Sequence, residues 1–228
     1  MLRRLPFIAL RFFIYFFVIS VVWVFVLRFV PVWITPFMIF RKIEAFKADE
    51  ETKIYSDWES YDNISKEAAL AVVASEDQNF PHHWGFDFDE IYDAMTEKRK
   101  RVRGASTISQ QVAKNVFLWH GRSFIRKGLE AYFTILIEII WDKERILEVY
   151  LNVAEMGKMT FGVEAASQRF YKKPAKDLTR YEAARIAAVL PNPVRFSIKN
   201  PSAYVNKRTN QIVRQMKYLG GRNYIADL

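Results

Sequence analysis

The 228-residue chain carries 34 Lys+Arg against 25 Asp+Glu, a net charge of +9, with 51% hydrophobic residues, 16% aromatics and no cysteine. That apolar share is ample for a packed core and excludes an intrinsically disordered chain. The missing cysteine excludes a disulfide scaffold, a zinc–cysteine site and thiol catalysis.

The charge gathers at one end. Residues 1–48 carry seven basic groups and a single acid, Glu44, a balance of +6, and residues 49–228 carry only +3. A whole-protein nucleic-acid reading is weakened accordingly. From Leu5 to Leu27 the chain is nearly all apolar, Arg11 being the lone charge, and Phe12–Leu27 has none. A helix over Phe7–Leu27 rises about 32 Å, close to the ~30 Å hydrocarbon core, with Arg11 near enough to its end to snorkel. No small-residue cleavage site follows at Leu27–Trp33, and aromatic or β-branched side chains cover every face. The expectation is a retained membrane anchor over residues 1–30. Arg3, Arg4 and Arg11 before the span balance Arg28, Arg41 and Lys42 after it, so flanking charge leaves the orientation open. Residues 31–48 read as an apolar membrane-proximal connector, and 49–228 as the main folded domain.

Within 49–228 the long stretches predict helices. Ser65 is a good N-cap for an Ala- and Leu-rich helix over 66–76. Ser123–Trp141 is interrupted only by Gly128, and Asp142–Leu151 predicts another helix. Thr179-Arg180-Tyr181-Glu182 is a capping-box pattern heading a helix that Pro191 stops. Ser202–Leu219 predicts a last helix, ended by Gly220-Gly221. Eight Pro and eight Gly are thin punctuation for an all-β domain, and no repeat is present. The expected fold class is mainly α.

Three constellations carry chemistry. The first, Ser75-Glu76-Asp77 through Phe80, His82, His83, Gly85 and Asp87, sets two carboxylates at the end of an apolar helix. A carboxylate there opposes the helix dipole, which raises its proton affinity and suits a general acid or base. A plain cap of the helix end is the competing reading. Adjacent His82 and His83 point apart and lack a third ligand, so a metal pair is disfavoured and a hydrogen-bonding role for His83 preferred. The second, Gly104-Ala105-Ser106-Thr107-Ile108-Ser109-Gln110-Gln111 with Lys114 and Asn115, offers donors suited to phosphate oxygens or to an ordinary N-cap. The third is Arg122 through Glu130, where Arg126 and Glu130 are four residues apart and pair on one helix face. Between Glu97 and Glu130 lie nine basic residues and no acid, and Ala183–Ala226 holds eight more. A solvated basic face near anionic lipid explains such blocks equally well. The run Lys98-Arg99-Lys100-Arg101-Val102-Arg103 lacks any DNA-reading motif, so no nucleic-acid partner is expected.

Together these motifs resemble the peptidoglycan glycosyltransferases, specifically the monofunctional membrane-anchored biosynthetic transglycosylases that share their domain with bifunctional penicillin-binding proteins. The similarity spans about Glu67–Pro193. Besides the three constellations it takes in Lys143-Glu144-Arg145-Ile146-Leu147-Glu148-Val149-Tyr150-Leu151-Asn152 and Tyr181-Glu182-Ala183-Ala184 through Pro191-Asn192-Pro193. Ser109 stands where Thr is usual. With the sequence ending at Leu228 and no Ser-x-x-Lys motif, a monofunctional enzyme is expected.

The resemblance implies a lysozyme-like, two-lobed α domain behind a single transmembrane helix. It implies polymerisation of lipid II by inverting transfer of the lipid-linked chain to a GlcNAc 4-hydroxyl, with undecaprenyl diphosphate released. Glu76 is then the general base, and Glu130 assists at the diphosphate side. Ser106, Gln111, Lys114, Arg122, Arg126 and Lys127 hold the diphosphate. A divalent cation, Mg²⁺ or Mn²⁺, is the implied cofactor, with Glu76 as its one guessed ligand and no organic cofactor. The implied partners are lipid II, the growing glycan strand, the bilayer and other cell-wall synthesis proteins. The implied location is the bacterial cytoplasmic (inner) membrane, with the domain on the periplasmic side. An apolar groove including Phe117, Leu118 and Trp119 would face the lipid. A glycan-cutting hydrolase or lytic transglycosylase, and a non-catalytic cell-wall scaffold, are the alternatives.

Overall fold

The computed structural model describes residues 5–89, 92, 106–119, 121 and 123–228. The basic run 98–103, Gly104 and Arg122 lie outside the described residues.

Helix α1 spans Leu5–Leu27, about 34 Å at 1.5 Å per residue. Most of its large apolar side chains, Phe12, Phe13, Ile19 and Trp23 among them, are exposed, as a membrane anchor requires and a soluble core helix does not. Its C-terminal part is docked. Ser20 Oγ and Tyr132 Oη lie 2.6 Å apart, and Trp141 Nε1 donates to the Val24 carbonyl at 2.8 Å. Arg28 donates to the Ile140 carbonyl and pairs with Asp142. Arg145 caps the open end of α1 through the Leu27 and Val30 carbonyls. Polar and cationic groups here satisfy carbonyls that a helix terminus leaves unpaired.

Helix α2, Pro36–Lys47, follows with Thr35 as N-cap and Pro at its first turn. The segment 31–48 is thus largely helical, and α2 packs on the domain through Arg41, which bonds Glu155 from 114 residues away.

The domain is built around α3, Lys66–Glu76, whose N-cap is Ser65. Residues 67–74 of α3 are all buried, so no amphipathic stripe is visible; this is a central helix covered on every face. Small side chains make that possible. Ala68, Ala71 and Ala74 are buried, as are Ala183, Ala184, Ala187 and Ala188 of the helix Arg180–Val189 (α8) that packs against it. The buried charge on α3, Glu67, is paired with Arg180 at 2.8 Å and Arg222 at 2.7 Å. Burial pushes its carboxyl up, but the two guanidiniums outweigh this and leave it below the ordinary range.

Helices α4 (Ile108–Phe117), α5 (Phe124–Ile140) and α6 (Lys143–Val153) form a second packed group. Their caps are Thr107, Ser123 and Asp142. Then come α7 (Val163–Tyr171), α8 with its Thr179/Glu182 capping box, and α9 (Ala203–Tyr218) capped by Ser202. The chain closes on a 3-10 turn, Gly221–Ile225. A small sheet adds β1 (Tyr55–Ser56), β2 (Glu155–Gly157) and β3 (Thr160–Phe161) in the order β1-β3-β2. Here β1 runs parallel and β2 antiparallel to β3. Gly162, at φ 86°, ends it where a Cβ would stand 2.7 Å from the Asn152 carbonyl oxygen. Fold class is mainly α, as the sequence predicts.

Candidate active site

Glu76 is the last residue of α3 and only half-buried at the mouth of the domain. Its Oε2 accepts from Gln111 Nε2 at 3.3 Å. Gln111 is oriented from behind, because Tyr150 Oη donates to its Oε1 at 3.2 Å. Tyr150 is buried on α6, so a rigid core residue fixes which end of the amide faces the carboxylate. Burial raises the Glu76 carboxyl above the ordinary carboxylate range, with Asp77 adding to the rise; Gln111 and Arg208 oppose it.

Asp77, the neighbouring carboxylate, does something else. It is buried, both its oxygens lie 2.9–3.0 Å from His83 Nε2, and Oδ2 also accepts from the Ile108 backbone N–H at 2.9 Å. His83 Nδ1 accepts from the Gly85 N–H, so the proton sits on Nε2 and points at Asp77. Thr107 Oγ1 closes the loop by donating to the Gly85 carbonyl at 2.7 Å. Gly85 itself, at φ 77°, leaves no space for a side chain, since a Cβ would meet Thr134 at 2.7 Å. The Asp77–His83–Ile108 arrangement therefore ties the loop after Glu76 to the start of α4.

The donor-rich stretch before α4 is mostly consumed by the fold. Thr107 and Gln110 form a capping box. Ser109 is buried and bonds Glu138, which Lys143 also holds at 2.9 Å. Of the described hydroxyls and amides, Ser106 and Gln111 remain on the side of Glu76, Gln111 lying 3.4 Å from the Ser106 carbonyl oxygen.

Lys114 lies one turn after Gln111 and on the same face of α4. Burial lowers its ammonium below the usual lysine range, while Glu130 raises it; Arg126 and Lys127 lower it further. Those last three form the second half of the site. Glu130 is buried on α5, with Arg126 Nη1 on one oxygen at 2.8 Å and Lys127 Nζ on the other at 2.5 Å. Arg126 Nε is buried and, among the described residues, has no hydrogen-bond partner. Sequence-expected Lys114, Arg126, Lys127 and Glu130 are thus brought within electrostatic reach of one another and, through Lys114, of Glu76.

A cavity of about 350 Å³ lies against this array. Gln111, Lys114 and Tyr150 form one wall, Phe37 and Arg41 of α2 another, and Leu190–Val194 a third. Arg41 and Tyr150 carry no distinguishing local signal; each enters the site through a contact more than 35 residues away.

A divalent cation finds a poor set of ligands here. Asp77 is saturated by His83 and Ile108, and Glu130 by Arg126 and Lys127. Among the described residues no three His, Asp or Glu converge on a point.

The Transglycosylase family profile matches residues 42–217, which holds every site residue named above except Phe37 and Arg41. The chain is 51% identical over 221 residues to a biosynthetic peptidoglycan transglycosylase of Mannheimia succiniciproducens, covering 96% of this chain and 90% of that protein. It is 50% identical over 230 residues to the protein so named in Pseudomonas putida (strain GB-1), covering 100% and 96%. A third, from Escherichia coli O9:H4, is 53% identical over 199 residues, covering 86% and 82%. With a profile match over residues 42–217 and relatives about half identical over almost its whole length, the chain belongs to the Transglycosylase family.

Proposed function

We propose that the protein is a peptidoglycan glycosyltransferase that polymerises lipid II into glycan strands, with Glu76 as general base. The observation that carries this reading is the division of the cleft. One carboxylate has its proton affinity raised by burial and a single amide on it, and beside it stand Lys114, Arg126 and Lys127 around Glu130.

Glu76 takes the proton from the acceptor GlcNAc 4-hydroxyl as that oxygen bonds to the anomeric carbon of the donor's MurNAc. The bond from that carbon to the diphosphate breaks, and the diphosphate leaves with the electron pair. A diphosphate needs no acid to leave when cations neutralise it, which is the task of Lys114, Arg126 and Lys127, with Ser106 at the edge. Glu130 keeps Arg126 and Lys127 on one helix face, where their mutual repulsion would otherwise spread them. A glycan cutter has no diphosphate to bind, so the cation cluster favours synthesis. The described donor set does not make a metal site by itself, and the mechanism runs without a step through Mg²⁺ or Mn²⁺.

The bilayer reading draws on the same helices. Beside α1, the helix α5 exposes Phe124, Ile125, Ile135 and Ile139. Between the two runs an apolar cavity of about 540 Å³, lined by Trp23, Trp33, Val116, Phe117 and Phe133. Phe117 lines it, whereas Leu118 is in the core. This cavity suits the polyprenyl tail, with the domain on the periplasmic side of the inner membrane and partners among other cell-wall synthesis proteins.

The test is polymerisation of purified lipid II by wild type and Glu76→Gln in detergent. Removal of a general base costs about 10²–10⁴-fold in rate, so the variant should make little or no polymer. The rate of the wild type should also fall on acidification at a pH above the ordinary carboxylate range, because Glu76 must be ionised to work and burial raises its pKa. Shortening of preformed strands without polymer from either protein would move the enzyme to the glycan-cutting class.

A further inference from the structure

The last turn of α3 ends at the base, and its carbonyls have unusual partners. The Val73 carbonyl accepts from the Asp77 N–H at 3.0 Å, as any helix end would. The Ala74 carbonyl accepts from the Gln78 side chain at 3.0 Å. The Ser75 carbonyl, however, accepts from Arg208 Nη2 at 3.0 Å, a residue of α9 that lies 133 positions away. On the far side of Glu76, the Gln78 carbonyl accepts from Tyr224 Oη at 2.6 Å, in the closing 3-10 turn. The Tyr224 ring also stands edge-on to His82, with centroids 5.8 Å apart. Two groups from the C-terminal 25 residues thus hold the backbone on both sides of the base.

We propose that Arg208 and Tyr224 are positioning residues for Glu76: the C-terminal helix and the turn after it form a brace that sets the place and the charge state of the base. This rests on Glu76 being the general base. The warrant is geometric first. A side chain at a helix terminus frays unless the terminal carbonyls are satisfied, and a base must lie within about 3 Å of its proton. Arg208 also brings a positive charge to the negative end of α3, which stabilises the helix end. The same charge favours the ionised form of Glu76 and opposes the effect of burial. Among the described residues the charged or titratable groups within electrostatic reach of Glu76 are Arg208 from α9, Lys114 from α4, Tyr150 from α6 and the adjacent Asp77. Asp77 works against ionisation, and Lys114 has its charge divided between Glu76 and Glu130. Tyr224 lies beyond residue 217, where the family profile ends, so the outer half of the brace belongs to a part of the chain that the profile does not describe.

The experiment is the pH dependence of kcat and KM for full-length wild type, Arg208→Gln, Arg208→Lys and Tyr224→Phe on lipid II, with Tm for each. Arg208→Gln should move the acid limb of kcat to higher pH and lower kcat at neutral pH about three- to tenfold, as loss of one charged hydrogen bond implies. Its KM should stay within about twofold of wild type, since the arginine touches no substrate. Arg208→Lys should restore the acid limb. Tyr224→Phe should lower kcat by about two- to fivefold with the limb unmoved, because it removes a hydrogen bond and no charge. An Arg208→Gln profile that superimposes on wild type, or that drops equally at every pH with a lower Tm, would overturn the brace. If Arg208→Gln does not fold, an unshifted Arg208→Lys together with a wild-type Tyr224→Phe rate would overturn it as well. Should wild type make no polymer, the functional reading fails by itself. The brace is then read from the ¹³C-carboxyl titration of Glu76, where an upward shift in Arg208→Gln supports it and no shift refutes it.

Discussion

Glu76 and Glu130 are two glutamates on different helices, one half-buried and the other buried, and their surroundings are opposite. Glu130 has a cation on each oxygen, Arg126 at 2.8 Å and Lys127 at 2.5 Å. Glu76 accepts from one amide, Gln111, at 3.3 Å. A carboxylate with a cation on each oxygen is engaged on both sides and organises those partners. A carboxylate desolvated without an ion pair has raised proton affinity and can take up a proton. Asp77 marks the limit of the comparison: it sits beside Glu76 in sequence yet is spent on His83 and the start of α4. What separates a base from a scaffold carboxylate here is its partners rather than its residue type.

The largest way to break that contrast, after Glu76→Gln, is Glu130→Gln. It leaves Arg126 and Lys127 repelling each other beside a desolvated Lys114. Breaking a buried pair typically costs about 3–5 kcal/mol, and the expected readout is a lower Tm with KM for lipid II raised about tenfold or more. A variant with unchanged KM would remove Glu130 from the diphosphate side. A smaller effect is expected from Tyr150→Phe. Gln111 then loses the donor that fixes its amide, at about 1 kcal/mol or roughly fivefold in kcat. KM should hold and the pH limb should stay in place; a wild-type kcat would show that Gln111 needs no orienting partner.

The smallest expected effect lies outside the cleft. Glu67 is held below the ordinary carboxylate range by Arg180 and Arg222, whose side chains are 43% and 64% exposed. Solvent screening limits such pairs to about 1 kcal/mol. Because the folded-state pKa is lowered, the contribution is present above the ordinary carboxylate range and is lost as pH falls through the folded value. Glu67→Gln should therefore lower Tm by a few degrees at pH 7, and the gap to wild type should close in acid. A gap independent of pH would mean that packing, not charge, is what Glu67 supplies.

The helices were legible because their ends are written locally. Ser65, Ser123, Asp142, Thr179 and Ser202 each cap a helix from within three residues of its start. The sheet was not, since strands of two or three residues have no period to read. Glu76 was visible as a carboxylate at a helix end, and Glu130 as the acid closing a basic block. The roles of Tyr150 and Arg208 depend on contacts across 39 and 133 residues, which no local pattern announces. The hydroxyls before α4 show the converse. Their residue types read as a phosphate cradle, but Thr107, Ser109 and Gln110 spend their hydrogen bonds on the fold. Residues 31–48 read as a greasy connector because their apolar content is local, while the Arg41–Glu155 pair that sets α2 against the cleft is distant in sequence.

The central claim is that the two glutamates divide the work, one taking a proton and the other holding cations for the diphosphate. The most direct measurement is binding of lipid II to full-length Glu76→Gln and Glu130→Gln in detergent. Glu76→Gln should bind within about threefold of wild type while failing to polymerise, because a base contributes mainly in the transition state. Glu130→Gln should bind about tenfold or more weakly. Equal losses in both variants, or weak binding by Glu76→Gln with normal binding by Glu130→Gln, would contradict the division.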